Sequence, residues 1–201
     1  MPELPEVEVV KRSIEKIIHN LSIKNIIIRN KNLRYKVDTK KLKNLINTKV
    51  LLVKRRSKYI LINLDNKQSI LLHLGMSGKI NIINPMNKKI RSSFYYDLTK
   101  NLDKHNHLIF EFKNNYKLVY NDVRKFGFLK VIKTNKLLQN KHLKILGPEP
   151  LSKNFNFKYF KSKIKGKKQT IKDCLMSQKF VSGLGNIYVN EVLFFSKVNP
   201  F

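Results

Sequence analysis

The chain has 201 residues, with 42 Lys and Arg against 13 Asp and Glu, a formal net charge of +29 and an isoelectric point near 10.2. A hydrophobic content of 42% supports a buried core and excludes a disordered tail, and the length suits one full domain plus part of another. No apolar run approaches the roughly 18 residues of a membrane span. The opening Pro2-Glu3-Leu4-Pro5-Glu6 lacks the basic and apolar regions of a signal peptide, which implies a cytoplasmic protein with no membrane partner. The excess of positive charge points to a polyanionic partner, nucleic acid first. Ala and Trp are missing while Lys, Asn and Ile abound, a pattern of AT-rich codons, so the sign of the charge carries more weight than its size. The single cysteine, Cys174, excludes an internal disulfide and cannot make a zinc site of about four ligands by itself. It reads as a small buried residue.

In chain order, the first element is a helix. Pro5 suits the first turn, Glu3, Glu6 and Glu8 lie where the helix dipole favours negative charge, and Val7, Val10, Ile14, Ile17 and Ile18 recur at helical spacing. Lys11, Arg12, Lys16 and His19 follow, and Asn20 ends the helix. The texture then turns to strands: 23–29, 50–54, 59–64, 69–74, 79–83, 108–112, 117–120 and 128–132 are short β-branched or aromatic runs separated by turn residues. Asn114-Asn115 reads as a hairpin tip. Eight such runs behind one helix predict a two-layer β-sandwich. Beyond residue 134, Leu137-Leu138 and Leu143 predict a short helical piece, broken by Leu146-Gly147-Pro148-Glu149-Pro150-Leu151. Helices are predicted over 155–164, 171–177 and 187–195. The fold class is α+β: a β-sandwich domain over 1–133, a linker with a short helix over 134–150, and an incomplete helical domain over 151–201.

Seven stretches now matter together. They are Met1-Pro2-Glu3-Leu4-Pro5-Glu6-Val7-Glu8, Arg55-Arg56-Ser57-Lys58-Tyr59, His73-Leu74-Gly75-Met76-Ser77-Gly78, Lys104-His105-Asn106-His107, Tyr120-Asn121-Asp122-Val123-Arg124-Lys125-Phe126-Gly127, Leu146 to Leu151, and Gly183-Leu184-Gly185-Asn186-Ile187-Tyr188. Their identity and order resemble the formamidopyrimidine-DNA glycosylase family over nearly the whole chain. Leu4 favours that branch over the related endonuclease VIII branch.

The resemblance implies a catalytic set of Pro2, Glu3 and Lys58. A proline freed by removal of Met1 is a secondary amine, and an α-amino group titrates near pH 8, so it can attack the C1′ of a damaged nucleotide and form an iminium. Glu3 is placed to protonate the sugar oxygen and move protons during strand cleavage. Lys58 would donate a proton during β-elimination and contact the nearby phosphate. From residue type alone, it is one solvated or phosphate-facing lysine among many.

A lesion must leave the base stack before C1′ is reachable. The resemblance makes Met76, Arg124 and Phe126 the wedge that fills the resulting hole, whereas Met76 and Phe126 by type alone are core residues. Val123 and Lys125 depart from the family's usual proline and arginine, which implies a weaker phosphate contact and a less rigid loop. His73, His105 and His107 lack a carboxylate or cysteine set, so no metal site is expected. Donation to phosphate fits His73 and His105 better. Lys167, Lys172 and Asn186 complete the implied DNA contacts, with Asn186 opening a helix of the family's helix-two-turn-helix element.

The partner implied is double-stranded damaged DNA, bound by a monomer. The activity implied is excision of oxidised purines, 8-oxoguanine and formamidopyrimidines, followed by abasic-site cleavage. The alternative readings are a DNA-binding remnant with little or no activity, or a basic nucleic-acid-binding protein. Full-length members carry one structural zinc on four cysteines beyond the point matching Phe201. With no cofactor expected in this chain, it reads as a fragment or as a shortened relative that works without zinc, the fragment being favoured.

Overall fold

A computed structural model describes residues 2–90, 92 and 103–201. Met1, which the sequence reading expects to be removed, lies outside them. The chain divides into two compact units, Met1–Leu137 and Leu138–Phe201.

The first unit begins with helix α1 (Leu4–Ile18). Glu3 caps it: its carboxylate accepts from the Glu6 N–H while the Glu6 carboxylate accepts from the Glu3 N–H at 2.7 Å, a reciprocal capping box. Val7, Val10, Ile14 and Ile18 form its buried stripe, and Asn20 follows with a left-handed φ of 62°. The strands are β1 (Ile23–Ile28), β2 (Val50–Arg56), β3 (Tyr59–Leu64), β4 (Gln68–His73), β5 (Gly78–Ile83), β6 (Lys89–Ile90), β7 (Asn106–Phe112), β8 (Lys117–Asp122) and β9 (Phe128–Lys133). They form two antiparallel sheets, ordered β1-β7-β8-β5-β6 and β2-β3-β4-β9.

Alternate residues of both sheets meet in one core. Ile60, Ile62 and Leu64 from β3 and Ile70 and Leu72 from β4 share it with Leu108, Phe110 and Phe112 from β7, Leu118 and Tyr120 from β8, and the stripe of α1. Alternate residues thus enter the shared core, while Leu61, Leu71, Ile109 and Val119 between them are buried as well, outside that core. The β7–β8 hairpin turns at Asn114-Asn115 as expected, with Asn114 Oδ1 accepting from the Tyr116 N–H at 3.1 Å and Asn115 at φ 63°.

Three details differ from the sequence reading. A ninth strand, the two-residue β6, is too short to leave a period. A five-residue helix α2 (Thr39–Lys43) was not foreseen; Asp38 caps it by accepting from the Lys41 N–H. The helical piece expected at Leu137-Leu138 and Leu143 is instead a 3-10 turn, Thr134–Lys136, followed by separate turns. Asn140 explains this. Its side chain accepts from the His142 N–H at 3.1 Å, a local bond that competes with a helix ladder, and Leu138 remains 71% exposed rather than joining a buried stripe.

The second unit holds α3 (Phe157–Ile164), α4 (Ile171–Met176) and α5 (Asn186–Phe195). Asn156 and Thr170 cap the first two by accepting from the N–H groups of Tyr159 and Asp173. The cap at Asn156 excludes Phe155 from α3, and Phe155 packs instead on Phe160 and Phe180. Cys174, Leu175, Phe180, Val181, Val189 and Leu193 form a separate small core. Gln178 ties the connection from α4 to α5, its amide donating to the Leu184 carbonyl at 2.7 Å and accepting from the Gly183 N–H at 2.9 Å. Among the described residues no helix is long and apolar enough to cross a membrane.

Candidate active site

The cap of α1 and the turn between β2 and β3 bring three ionisable groups together. Ser57 and Lys58 form a two-residue hairpin turn closed by the Arg56–Tyr59 pair, with Ser57 at φ 54°. Lys58 is only 7% exposed, Glu3 2% and Glu6 8%. Burial pushes the Lys58 ammonium below its ordinary pKa, while the charges of Glu3 and Glu6 pull the other way. A lysine of this kind holds a proton loosely, which suits a group that must give one up. Pro2 is half-buried and directly precedes the capping residue Glu3 in the chain.

A second interaction fixes α1 against this turn. Arg55 Nε donates to Glu8 of α1 at 2.7 Å, and its Nη1 donates to the Ser57 carbonyl at 2.9 Å. Arg12 donates to the other Glu8 oxygen at 2.9 Å. Partial burial would raise the Glu8 pKa, but the hydrogen bonds of Arg55 and Arg12 and the charges of Arg55 and Lys11 outweigh it and hold the carboxylate below its ordinary value. One guanidinium therefore joins the helix bearing Pro2 and Glu3 to the turn bearing Lys58.

The predicted wedge residues line one open groove of about 480 Å³ with Arg34, His73 and Lys125. Met76 is 45% exposed and Phe126 43%, which corrects the core reading that residue type alone suggests. The Arg124 guanidinium lies 4.5 Å over the Phe126 ring, so the pair presents an apolar face with a cationic edge. The His73 ring stacks on Phe128, and its Nδ1 accepts from the Gly75 N–H at 3.1 Å, which places the ring's proton on Nε2. His107 is buried and turned inward, its Nε2–H donating to the Asp122 carbonyl at 2.7 Å.

The remaining predicted contacts are placed separately. His105 ends a 3-10 turn, Asp103–His105, and is half-buried outside the lining of that groove. In the second unit, Lys167 is exposed with its ammonium 5.6 Å over the Phe180 ring, and Lys172 is half-buried on α4. Asn186 is exposed as the first residue of α5, at the positive end of that helix's dipole.

Sequence reasoning missed four contributors. Glu6 was legible from the Glu3-x-x-Glu6 capping spacing but was read only as dipole compensation. Arg34 carries no local signal. Ser77 and Asp122 lie inside the quoted motifs, yet their link spans 45 residues of sequence. Among the described residues no group of three or more His, Cys, Asp or Glu could hold a metal ion. A four-cysteine zinc site does not fit the residues present, because Cys174 is the sole cysteine and is buried in the second core.

Comparison with known proteins follows the same division. Residues 1–129 match the formamidopyrimidine-DNA glycosylase N-terminal domain, and residues 146–201 match the formamidopyrimidine-DNA glycosylase H2TH domain. The chain belongs to the formamidopyrimidine-DNA glycosylase family. It is 40% identical over 200 residues to the formamidopyrimidine-DNA glycosylase of Rickettsia bellii, covering all of this chain and 68% of the relative. The Bartonella tribocorum enzyme is 39% identical over 204 residues with the same coverage. Among solved structures, the Lactococcus lactis Fpg in complex with DNA containing an abasic site matches with a TM-score of 0.83 at 35% identity, over 98% of this chain and 68% of that one. A second complex of that protein, with tetrahydrofuran-containing DNA and an inhibitor, gives 0.84 at 35% identity, over 99% of this chain and 69% of that one.

Proposed function

We propose that this chain is a base-excision repair glycosylase and abasic-site lyase that removes oxidised purines from double-stranded DNA in the cytoplasm. The observation that carries the reading is the buried Lys58 amine under the charges of Glu3 and Glu6, the capping pair of the helix that Pro2 immediately precedes. With Met1 removed, the Pro2 nitrogen attacks C1′ of the flipped nucleotide and the bond from C1′ to the base breaks. The base leaves with that electron pair and takes up a proton. Glu3 protonates the ring oxygen as the sugar opens, leaving an iminium between Pro2 and C1′. Loss of a proton from C2′ then expels the 3′ phosphate, with Lys58 as proton donor and phosphate contact. Met76, Arg124 and Phe126 hold the duplex open, and His73, His105, Lys167, Lys172 and Asn186 grip phosphates.

The test is reductive trapping. Incubation with an abasic or 8-oxoguanine duplex and borohydride is expected to give a covalent protein–DNA adduct, cut about a hundredfold by Pro2→Gly. DNA binding without an adduct would instead support a binding remnant.

A further inference from the structure

Met76, Arg124 and Phe126 sit on two separate loops, 74–78 and 123–127, and one buried acid joins them. Asp122 is fully buried at the end of β8. One of its carboxylate oxygens accepts from the Ser77 hydroxyl at 2.5 Å; the other accepts from the Tyr120 hydroxyl at 3.0 Å and the Gly127 N–H at 2.8 Å. Ser77 in turn accepts from the Arg124 N–H at 3.0 Å. A single hydroxyl next to Met76 therefore holds both Asp122 and the backbone of Arg124.

The backbones are pressed together at the same place. Gly75 has φ 66°, and a Cβ there would stand 2.4 Å from the Gly127 nitrogen. A Cβ on Gly127 would stand 2.0 Å from the Tyr120 hydroxyl and 2.6 Å from the His73 carbonyl. Neither glycine can accept a side chain without moving the opposite loop. Met76, Arg124 and Phe126 are themselves exposed, the last two in cation–π contact with each other.

We infer that Ser77 and Asp122 are positioning residues that couple the two loops, so that Met76, Arg124 and Phe126 enter the duplex as one rigid wedge. The inference rests on the wedge role proposed above. A wedge must hold its shape while bases unstack around it, and loops that yield independently would let the duplex close.

The test uses a duplex with a tetrahydrofuran abasic analogue and 2-aminopurine on its 3′ side, whose fluorescence rises when it is unstacked. At saturating protein, Ser77→Ala is expected to lower the wild-type rise by about threefold or more, and Ser77→Thr, which keeps the hydroxyl, to restore it. Met76→Ala separates the two ideas. If it loses the rise while Ser77→Ala keeps it, the coupling is refuted and the wedge stands. If neither variant loses the rise, the wedge reading itself fails. Loss in Ser77→Ala without recovery in Ser77→Thr would show that packing, not the hydroxyl, matters, and would refute the coupling.

Amide hydrogen exchange of the free protein gives a second measure that needs no DNA. Ser77→Ala should speed exchange at Arg124 and Gly127 by about tenfold and leave β7 and the rest of β8 unchanged. Unaltered exchange at both amides would overturn the proposal.

Discussion

The Lys58 amine is buried beside two carboxylates rather than left in water. Its lowered pKa has a consequence for stability. Between that lowered value and the ordinary 10.5, the unfolded chain binds more protons at this site than the folded one, so stability rises with pH across that window. Lys58→Met removes the titrating group. The melting temperature of the wild type relative to the variant should therefore climb as pH rises toward 10.5, and a flat difference would contradict the burial argument. Single-turnover cleavage by Lys58→Met should fall about 10²–10⁴-fold if the amine moves a proton in the rate-limiting step. At this scale the sequence was legible only through resemblance. Composition shows one lysine among many, and nothing local marks this one as buried. Ser77 and Asp122 were less legible still, since a bond across 45 residues leaves no trace in a window of ten.

Among the elements, the join between α1 and the β2–β3 turn is what would hold Pro2 and Lys58 to one substrate in the proposed function. Arg55 makes that join with 14% of its side chain exposed, so its bonds to Glu8 and to the Ser57 carbonyl are partly shielded from solvent. Arg55→Ala is expected to destabilise the protein by about 1–3 kcal/mol, read from a denaturant midpoint, because both acceptors lose a charged donor. Cleavage should fall by more than the folded fraction does, since the turn carrying Lys58 loses its anchor. A loss of stability with cleavage per folded molecule intact would make Arg55 a structural residue only.

The strands were read with little error because most are short β-branched or aromatic runs bounded by turn residues, and that signal is local. The 3-10 turn at Thr134–Lys136 shows where such reading stops. Leucines at helical spacing implied a stripe, but Asn140 bonds its own loop and Leu138 faces solvent. Helix α2 escaped for the opposite reason: its five residues bury only Leu42, too little to set a period.

Over the whole molecule, the net charge of +29 is the quantity DNA meets first. Neutralising phosphates releases counterions, so for about 6–10 phosphate contacts, affinity should drop about 10³–10⁵-fold between 50 and 200 mM salt. Fluorescence anisotropy titrations would measure the slope, and Lys167→Ala or Lys172→Ala should each flatten it by about one unit. An unchanged slope would remove that lysine from the phosphate-binding set.

The helical unit has its own core, and that core contains the chain's only thiol, Cys174, at 2% exposure. A reagent that attacks thiolates reaches Cys174 only when this core opens. Its rate of modification is therefore a clock for opening of that core. The protein thus carries a built-in reporter of its helical core that needs no added label.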